Sequence, residues 1–213
     1  MSATPLPILP DPRLLSGAAR LALRYGGTFA PETVQQLLAD SYQRLAETAA
    51  VRTHLVVLAE RLADERLAAL AHSRAVPGGI PRVLFVCTGN AGRSQLAAAL
   101  LAHAAKGRLQ VSSAGTRPAG VLDDFVTEVL DEVGADLPVE GFPKPLTEEV
   151  VAAADIVVTM GCGDACPIPA GRRYMDWPVP DPHGASLDTV RQIRDEIAHR
   201  VTDLVAELAP ATS

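Results

Sequence analysis

The sequence predicts an α/β protein in which a parallel sheet is covered by helices on both faces, preceded by an all-α three-helix bundle. Three observations support this fold class. Residues 1–77 are rich in Ala, Leu and Arg and show no strand-like alternation. From Arg82 onwards, apolar runs of strand length alternate with helical stretches, which is the rhythm of a parallel sheet. The stretch VPGGIP at 76–81, between the two parts, has the composition of a linker.

The first part of the chain, residues 1–77, is predicted to form the three-helix bundle. The helices are expected at about 13–25, 31–49 and 51–74; two glycines follow the first, and the second begins at a proline suited to a first helical turn. Apolar residues in the second and third helices recur at the spacing of one buried face. A bundle this small has a marginal core, so we predict a homodimer in which a second copy buries the excess apolar surface.

Residues 78–81 are the predicted linker, and residues 82–213 are the predicted second domain. Ligands of an open parallel sheet bind beyond the carboxyl ends of its strands, so a site is expected after the first strand. The strands are predicted at about 83–86, 109–112 and 155–160, and the helices at about 94–106, 122–133, 147–153 and 186–208.

Charge and cysteine content narrow the class of protein. Residues 1–77 carry eight Lys/Arg against seven Asp/Glu, whereas the remainder carries eleven against eighteen. The acidic second part argues against nucleic acid as a partner, and no apolar run approaches the roughly 20 residues of a membrane span. The first residues lack the basic region of a signal peptide, so we predict a cytoplasmic protein with no membrane partner. The three cysteines are an odd number, which argues against a framework of structural disulfides, so we predict reduced thiols.

The stretch CTGNAGRS at 87–94 is the expected oxyanion site. Its small residues let successive backbone N–H groups converge, and the start of the next helix adds partial positive charge. The same field favours the thiolate of Cys87 and makes it a nucleophile. Arg93 offers two oxyanion oxygens a fork of donors, Ser94 is placed to donate to the thiolate, and Asn90 tolerates a left-handed backbone. The predicted oxyanion-binding residues are Thr88, Gly89, Asn90, Ala91, Gly92 and Arg93.

A buried structural cysteine beside another kind of phosphate-binding loop is the alternative interpretation of this stretch. A Walker loop is excluded, because no Gly-Lys-Ser/Thr follows.

Three motifs, VLFVCTGNAGRSQLA (83–97), SSAG (112–115) and DWPVPDP (176–182), resemble the low-molecular-weight protein tyrosine phosphatase superfamily, and within it the thioredoxin-type arsenate reductases. The resemblance covers about residues 82–208. It implies a four-stranded parallel sheet, Cys87 as nucleophile, Arg93 as oxyanion clamp and Ser94 as support for the thiolate. The general acid of the family comes from an Asp-Pro motif, and Asp181-Pro182 is the only such pair in this part of the chain. Asp181 is therefore predicted to protonate the oxygen that leaves from the Cys87 adduct.

The other two cysteines favour the reductases over the phosphatases. Cys162 and Cys166 follow the predicted strand at 155–160, so they are expected at the same end of the sheet as Cys87. In the implied reaction Cys87 attacks arsenate, Cys162 attacks the Cys87 sulfur and releases arsenite, and Cys166 takes over the disulfide for reduction by a thioredoxin-like partner. Gly161 and Gly163 give the segment around Cys162 the freedom to deform. The Cys-x3-Cys spacing does not match a structural zinc site, and no metal or other cofactor is predicted.

Departures from the family pattern leave alternatives open. Cys162 and Cys166 lie closer together than the corresponding pair of many thioredoxin-linked members, which leaves mycothiol or glutathione with a glutaredoxin-like protein as the alternative reductant. Some members hold potassium with a Glu at the position of Ala98, so that cation is not predicted here. His183, rather than a Tyr, follows the Asp-Pro pair; this weakens the alternative of a tyrosine phosphatase, and His183 is predicted to be a solvated loop residue.

The N-terminal helices also carry a resemblance. Residues 30–49, APETVQQLLADSYQRLAETA, are similar to the three-helix dimerisation segment of some actinobacterial reductases of this group. The resemblance implies dimerisation through the bundle. The alternative is a binding module that recruits a regulator or the redox partner.

Overall fold

Residues 9–49, 52–74, 79–138, 141–163 and 171–208 are described by the structure, which is a computed structural model. Contacts within the chain divide it into two units, Met1–Ala75 and Val76–Ser213. None of the helices in these described ranges is long and apolar enough to cross a bilayer.

The first unit contains three helices, α1 (Leu14–Arg24), α2 (Pro31–Thr48) and α3 (Leu55–Arg74). Leucines on facing sides of these helices are buried and form the core of the unit. A buried Arg66 ties α3 to α2, because its guanidinium donates to the carboxylate of Asp40 at 2.6 Å. The third helix begins later than the predicted residue 51: residues 52–54 are exposed, and a helical turn there would bury no apolar face.

The second unit is built on a four-stranded sheet in the order β2-β1-β3-β4, and every pair of neighbours is parallel. The strands are β1 (Arg82–Cys87), β2 (Gln110–Gly115), β3 (Ile156–Thr159) and β4 (Arg173–Asp176). β2 continues beyond the predicted 109–112, because it pairs with β1 as far as Cys87 opposite Gly115. The central β1 is apolar and buried from Val83 to Cys87. The predicted four-stranded parallel sheet is confirmed.

Helices follow the strands and pack onto the sheet. They are α4 (Arg93–Ala105), α5 (Val126–Asp131), α6 (Glu148–Ala153) and α7 (Leu187–Leu208). Phe85 of β1, Leu101 of α4 and Ile193 of α7 belong to one continuous buried cluster. The predicted helix at 122–133 is wrong in its length. Its first residues instead pass along the loop after β1, where the N–H of Asp123 donates to the carbonyl of Ala91, and Phe125 has a φ of 66°.

Candidate active site

The loop between β1 and α4 is held from outside by the segment that follows β2. In a trans peptide each N–H points away from the carbonyl oxygen of the same peptide group. Carbonyls bonded to that outer segment therefore turn the loop N–H groups towards the opposite side, the arrangement that the predicted oxyanion nest requires. The bonds, 2.8 to 3.2 Å long, run from the N–H groups of Thr116, Arg117, Ala119 and Asp123 to the carbonyls of Cys87, Thr88, Gly89 and Ala91.

Two residues allow the loop to fold this tightly. Asn90 has a φ of 48°, in the left-handed region that the sequence predicted for it. Gly115, at the end of β2, lies directly beneath the loop: a Cβ there would stand 2.8 Å from the carbonyl oxygen of Thr88. A side chain at residue 115 would therefore push the loop away from the sheet.

The sulfur of Cys87 is buried and surrounded by donors. The backbone N–H of Asn90 donates to Sγ at 3.2 Å, and the hydroxyl of Ser94 lies 3.0 Å from Sγ. Ser94 is the second residue of α4, so the sulfur lies beside the start of that helix.

The direction of the hydrogen bond between Cys87 and Ser94 follows from the side chain of Asn90. Its Oδ1 faces the backbone N–H of Lys144 at 3.0 Å, and a backbone N–H can only donate. The other amide atom is therefore the nitrogen, which donates to Oγ of Ser94 at 2.9 Å. Ser94 therefore keeps its own hydroxyl hydrogen to donate, and Sγ of Cys87 lies within reach at 3.0 Å. A thiolate at Cys87 would accept from both neighbours.

A second buried amide supports this chain of hydrogen bonds. Nε2 of Gln95 lies 3.1 Å from the carbonyl oxygen of Asn90 and 3.0 Å from that of Phe142. Gln95 was not singled out in the sequence. It could have been noticed as a polar residue among apolar neighbours, in the first turn of a helix that is buried along most of its length. Lys144 carried no such signal, because its contribution is a backbone N–H.

Arg93 extends from the start of α4 to the predicted general acid. Its Nη2 donates to Oδ2 of Asp181 at 2.6 Å, with the arginine side chain nearly buried and Asp181 55% exposed. Gly161 lets the guanidinium pass, because a Cβ at this residue would collide with Nη1. An oxyanion in the loop would share the guanidinium with Asp181, which places the acid beside the anion.

Cys162 lies at the same end of the sheet as Cys87. It follows β3, which pairs with β1, and its Sγ is 3.8 Å from the carbonyl oxygen of Val86. The flanking Gly161 and Gly163 both have positive φ, 79° and 53°. Cys162 is disulfide-bonded, whereas Cys87 is a free thiol. The third predicted thiol, Cys166, lies outside the described residues.

Two residues that the sequence did not assign to the site also line it. Asp123 is 10% exposed and accepts a 2.8 Å hydrogen bond from Nδ1 of His183. This bond, together with the negative charges of Asp123, Asp181 and Asp124, raises the pKa of His183. The ring of His183 is 83% exposed, so it is solvated as predicted, but it is not isolated. The two consecutive aspartates at 123–124 were the sequence feature from which acidic residues in the site could have been predicted.

The described residues enclose a cleft of about 220 Å³ above the loop, several times the roughly 30 Å³ that one water occupies. This volume admits a tetrahedral oxyanion. Within the described part of the chain, no group of three or more His, Cys, Asp or Glu side chains is arranged to hold a metal ion. The cleft is lined by Cys87, Thr88, Gly89, Ala91, Gly92, Arg93, Ala119, Asp123, Asp181 and His183.

Changing Asn90 to Asp tests the hydrogen-bond chain that ends on Cys87. A carboxylate at residue 90 cannot donate to Ser94, so the hydroxyl turns towards the carboxylate and leaves the sulfur. At mildly acidic pH, we expect iodoacetamide to alkylate Cys87 of Asn90→Asp at least about tenfold more slowly than Cys87 of the wild type. Ser94→Ala should also slow the alkylation. Ser186→Ala, which removes a hydroxyl at the start of α7, is the control. Wild-type alkylation rates in Asn90→Asp, with an unchanged melting temperature, would contradict the assignment.

Comparison with known proteins gives two family matches. Residues 14–71 match the model of the protein-tyrosine-phosphatase-like N-terminal domain. Residues 82–212, more than half of the chain, match the model of the low molecular weight phosphotyrosine protein phosphatases.

Individual relatives agree with these models. The thioredoxin-dependent arsenate reductase of Corynebacterium glutamicum is 43% identical, with a TM-score of 0.81 over 92% of this chain and 96% of that protein. Arsenate reductase 1 of Staphylococcus epidermidis is 33% identical over 56% of this chain and 96% of its own length. The glutaredoxin arsenate reductase of Synechocystis is 29% identical over 60% of this chain and 98% of its own length. The predicted family is confirmed: the chain belongs to the low molecular weight phosphotyrosine protein phosphatase family and groups there with the arsenate reductases.

Proposed function

We propose that this protein reduces arsenate to arsenite, with Cys87 as the nucleophile. The observation that carries the proposal is the environment of Sγ, which accepts hydrogen bonds from Asn90 and Ser94 at the centre of an oxyanion nest. The similarity to a thioredoxin-dependent arsenate reductase over 92% of the chain supports the same reaction.

The first step forms a bond between sulfur and arsenic. The Cys87 thiolate attacks arsenate bound by the loop N–H groups and by the guanidinium of Arg93, and an oxygen of arsenate leaves. Asp181, which would share the guanidinium of Arg93 with the substrate, binds a proton from solvent before this step and donates it to this oxygen, which leaves as water. The arsenic is still arsenic(V) in the resulting adduct. The nest and Arg93 stabilise the negative charge on its oxygens as the bonds change.

The second step reduces the arsenic. The thiolate of Cys162 attacks Sγ of Cys87, the new disulfide forms, and the electron pair of the sulfur–arsenic bond stays on arsenic, which leaves as arsenite. Cys166 then attacks Cys162, which releases the Cys87 thiolate and leaves a disulfide between Cys162 and Cys166. One feature supports Cys162 as the residue that attacks Cys87: it lies next to the end of β1.

A dithiol partner must then reduce the enzyme disulfide. We propose thioredoxin, because the relative that is similar over nearly the whole chain is thioredoxin-dependent. We also propose a cytoplasmic location, because a relay of this kind needs a compartment that keeps thiols reduced. Mycothiol or glutathione with a glutaredoxin-like protein is the alternative, supported by the similarity to a glutaredoxin arsenate reductase. Arsenite production by the purified protein with each reducing system separates the two.

Hydrolysis of phosphate esters is the second candidate activity. Cys87, Arg93 and Asp181 carry all the chemistry that a phosphatase of this family needs, and the family model itself is that of phosphotyrosine phosphatases. A phosphatase has no use for Cys162 or Cys166. We therefore expect any weak hydrolysis of p-nitrophenyl phosphate to require Cys87 and to survive the loss of Cys166.

Serine substitutions at the three cysteines test the relay. Cys166→Ser should release one arsenite per enzyme and then stop as a Cys87–Cys162 disulfide. Cys162→Ser should lose the thioredoxin-coupled reaction before the first arsenite, and Cys87→Ser should be inert. Single-turnover arsenite yield is compared with the multiple-turnover rate in the presence of thioredoxin and its reductase. If Cys166→Ser cycles at the wild-type rate, the three-thiol relay is wrong and an external thiol resolves the intermediate.

The first unit is proposed to form a homodimer. Leu15 and Leu23 of α1 and Val57 of α3 are large apolar residues exposed on the helical unit. A second copy of the chain would cover them, since an apolar surface of this kind is stabilised by burial. The alternative, a regulator or the redox partner at the same surface, predicts a monomer in the absence of that partner.

Charged substitutions on this surface test the dimer. Leu23→Asp combined with Val57→Asp should halve the molar mass of the full chain in solution, because the dimer would bury both carboxylates. Val133→Asp changes an exposed valine of the second unit and is the matched control. Light scattering during size-exclusion chromatography gives the mass. A wild-type monomer, or a double variant that stays dimeric, would refute dimerisation through these residues.

A further inference from the structure

The cleft that is to bind an anion carries two carboxylates. Asp123 and Asp181 both line it. A carboxylate close to a bound oxyanion weakens binding through repulsion, and more strongly where water is partly excluded. Arg93 pairs with Asp181 at 2.6 Å, which offsets one of the two charges. The charge of Asp123, whose side chain is only 10% exposed, requires a different partner.

His183 contacts both carboxylates. Its ring Nδ1 lies 2.8 Å from Oδ1 of Asp123, and its backbone N–H donates to Oδ1 of Asp181 at 3.2 Å. One residue thus joins the segment after β2, which carries Asp123, to the segment before α7, which carries Asp181. The ring itself is exposed, so it exchanges protons freely with solvent.

Both segments are pressed against the oxyanion loop at Gly92. A Cβ at this residue would stand 2.5 Å from Oδ2 of Asp123 and would collide with the ring of Pro182. The carboxylate of Asp123 therefore rests against the loop backbone, one residue before Arg93. Its charge acts directly on an anion bound in the loop.

We propose that His183 and Asp123 form a clasp in which His183 offsets the charge of Asp123, so that His183 acts on oxyanion binding through Asp123 as a positioning residue. This role of His183 rests on the proposed function only because we name arsenate as the oxyanion that binds. The clasp uses residues outside the strand, loop and Asp-Pro motifs that identify the family.

The clasp depends on pH in a defined direction. Asp123, Asp124 and Asp181 face His183 and raise its pKa, so protonated His183 persists to higher pH than an ordinary histidine. Below that pKa the imidazolium offsets the charge of Asp123. As the pH rises through it, the neutral ring keeps its position but loses the offset, and oxyanion affinity falls. A variant without the imidazolium lacks this contribution at every pH.

His183→Gln is the variant that tests the clasp. At about pH 6 and low salt we expect the KM for arsenate to rise about two- to fivefold, the range of an exposed ion pair, with kcat changed less than twofold. The difference from wild type should be smaller at about pH 8.5 than at about pH 6, and it should shrink in about 0.5 M salt. His199→Gln is the matched control, since His199 lies beside Asp203 on α7, away from the cleft.

Asp123→Asn separates the offset of charge from a structural role. Without the carboxylate there is no charge to offset, so adding His183→Gln to Asp123→Asn should leave the KM unchanged. An unchanged KM in His183→Gln alone at about pH 6 would overturn the clasp. So would a loss of equal size at both pH values, or a loss that persists in the Asp123→Asn background, since either result is expected of a purely structural residue.

Binding of inorganic phosphate distinguishes failure of the clasp from failure of the proposed function. The phosphate concentration that half-protects Cys87 from iodoacetamide requires no turnover, and it should rise in His183→Gln by the same factor as the KM. If the wild-type protein makes no arsenite, the proposed function is wrong, but phosphate protection still decides the clasp. Equal half-protecting concentrations in wild type and His183→Gln at about pH 6 would overturn the clasp even where arsenate is reduced.

Discussion

The active site depends on the orientation of one buried amide, that of Asn90. Because Oδ1 accepts from a backbone N–H that cannot reverse its role, the nitrogen must face Ser94, which leaves the serine hydrogen available to the Cys87 thiolate. The backbone N–H of Lys144, in a distant segment, thus orients the Asn90 amide that contacts Ser94 beside the sulfur. Hydrogen bonds in such a chain strengthen one another in a buried setting.

Close packing at three glycines holds the parts of the site together. Gly115 brings β2 beneath the loop, Gly92 admits Asp123 and Pro182 against it, and Gly161 admits Arg93. Each is a point where two segments approach more closely than a side chain would allow. The loop is therefore confined on several sides before any substrate binds, and little conformational freedom remains to be lost on binding.

Local sequence was sufficient for the elements whose determinants lie within them. The apolar β1, the loop with Asn90 and Gly92, and the start of α4 could all be predicted from one short stretch. Residues 122–125 were wrongly expected to be helical, because the N–H of Asp123 bonds to the carbonyl of Ala91, a distant loop residue, and Phe125 has a positive φ. The site also depends on contacts between residues distant in sequence, made by Gln95, Asp123 and Lys144. No periodicity or motif in the sequence predicts such contacts. Asp181 was found only because a family motif marks it.

Gly161 has a consequence for the cycle as a whole. It is adjacent to Cys162, its carbonyl accepts a hydrogen bond from Thr88 of the loop, and its bare Cα gives Arg93 room. Any rearrangement of the Cys162 segment therefore reaches both the nest and the guanidinium. If a rearrangement at Cys162 changes the affinity for an oxyanion in the loop, a bound oxyanion must in turn shift the redox equilibrium of the Cys162 disulfide, because coupling between two sites is reciprocal. The backbone of Gly161 is the shared contact through which that coupling would pass.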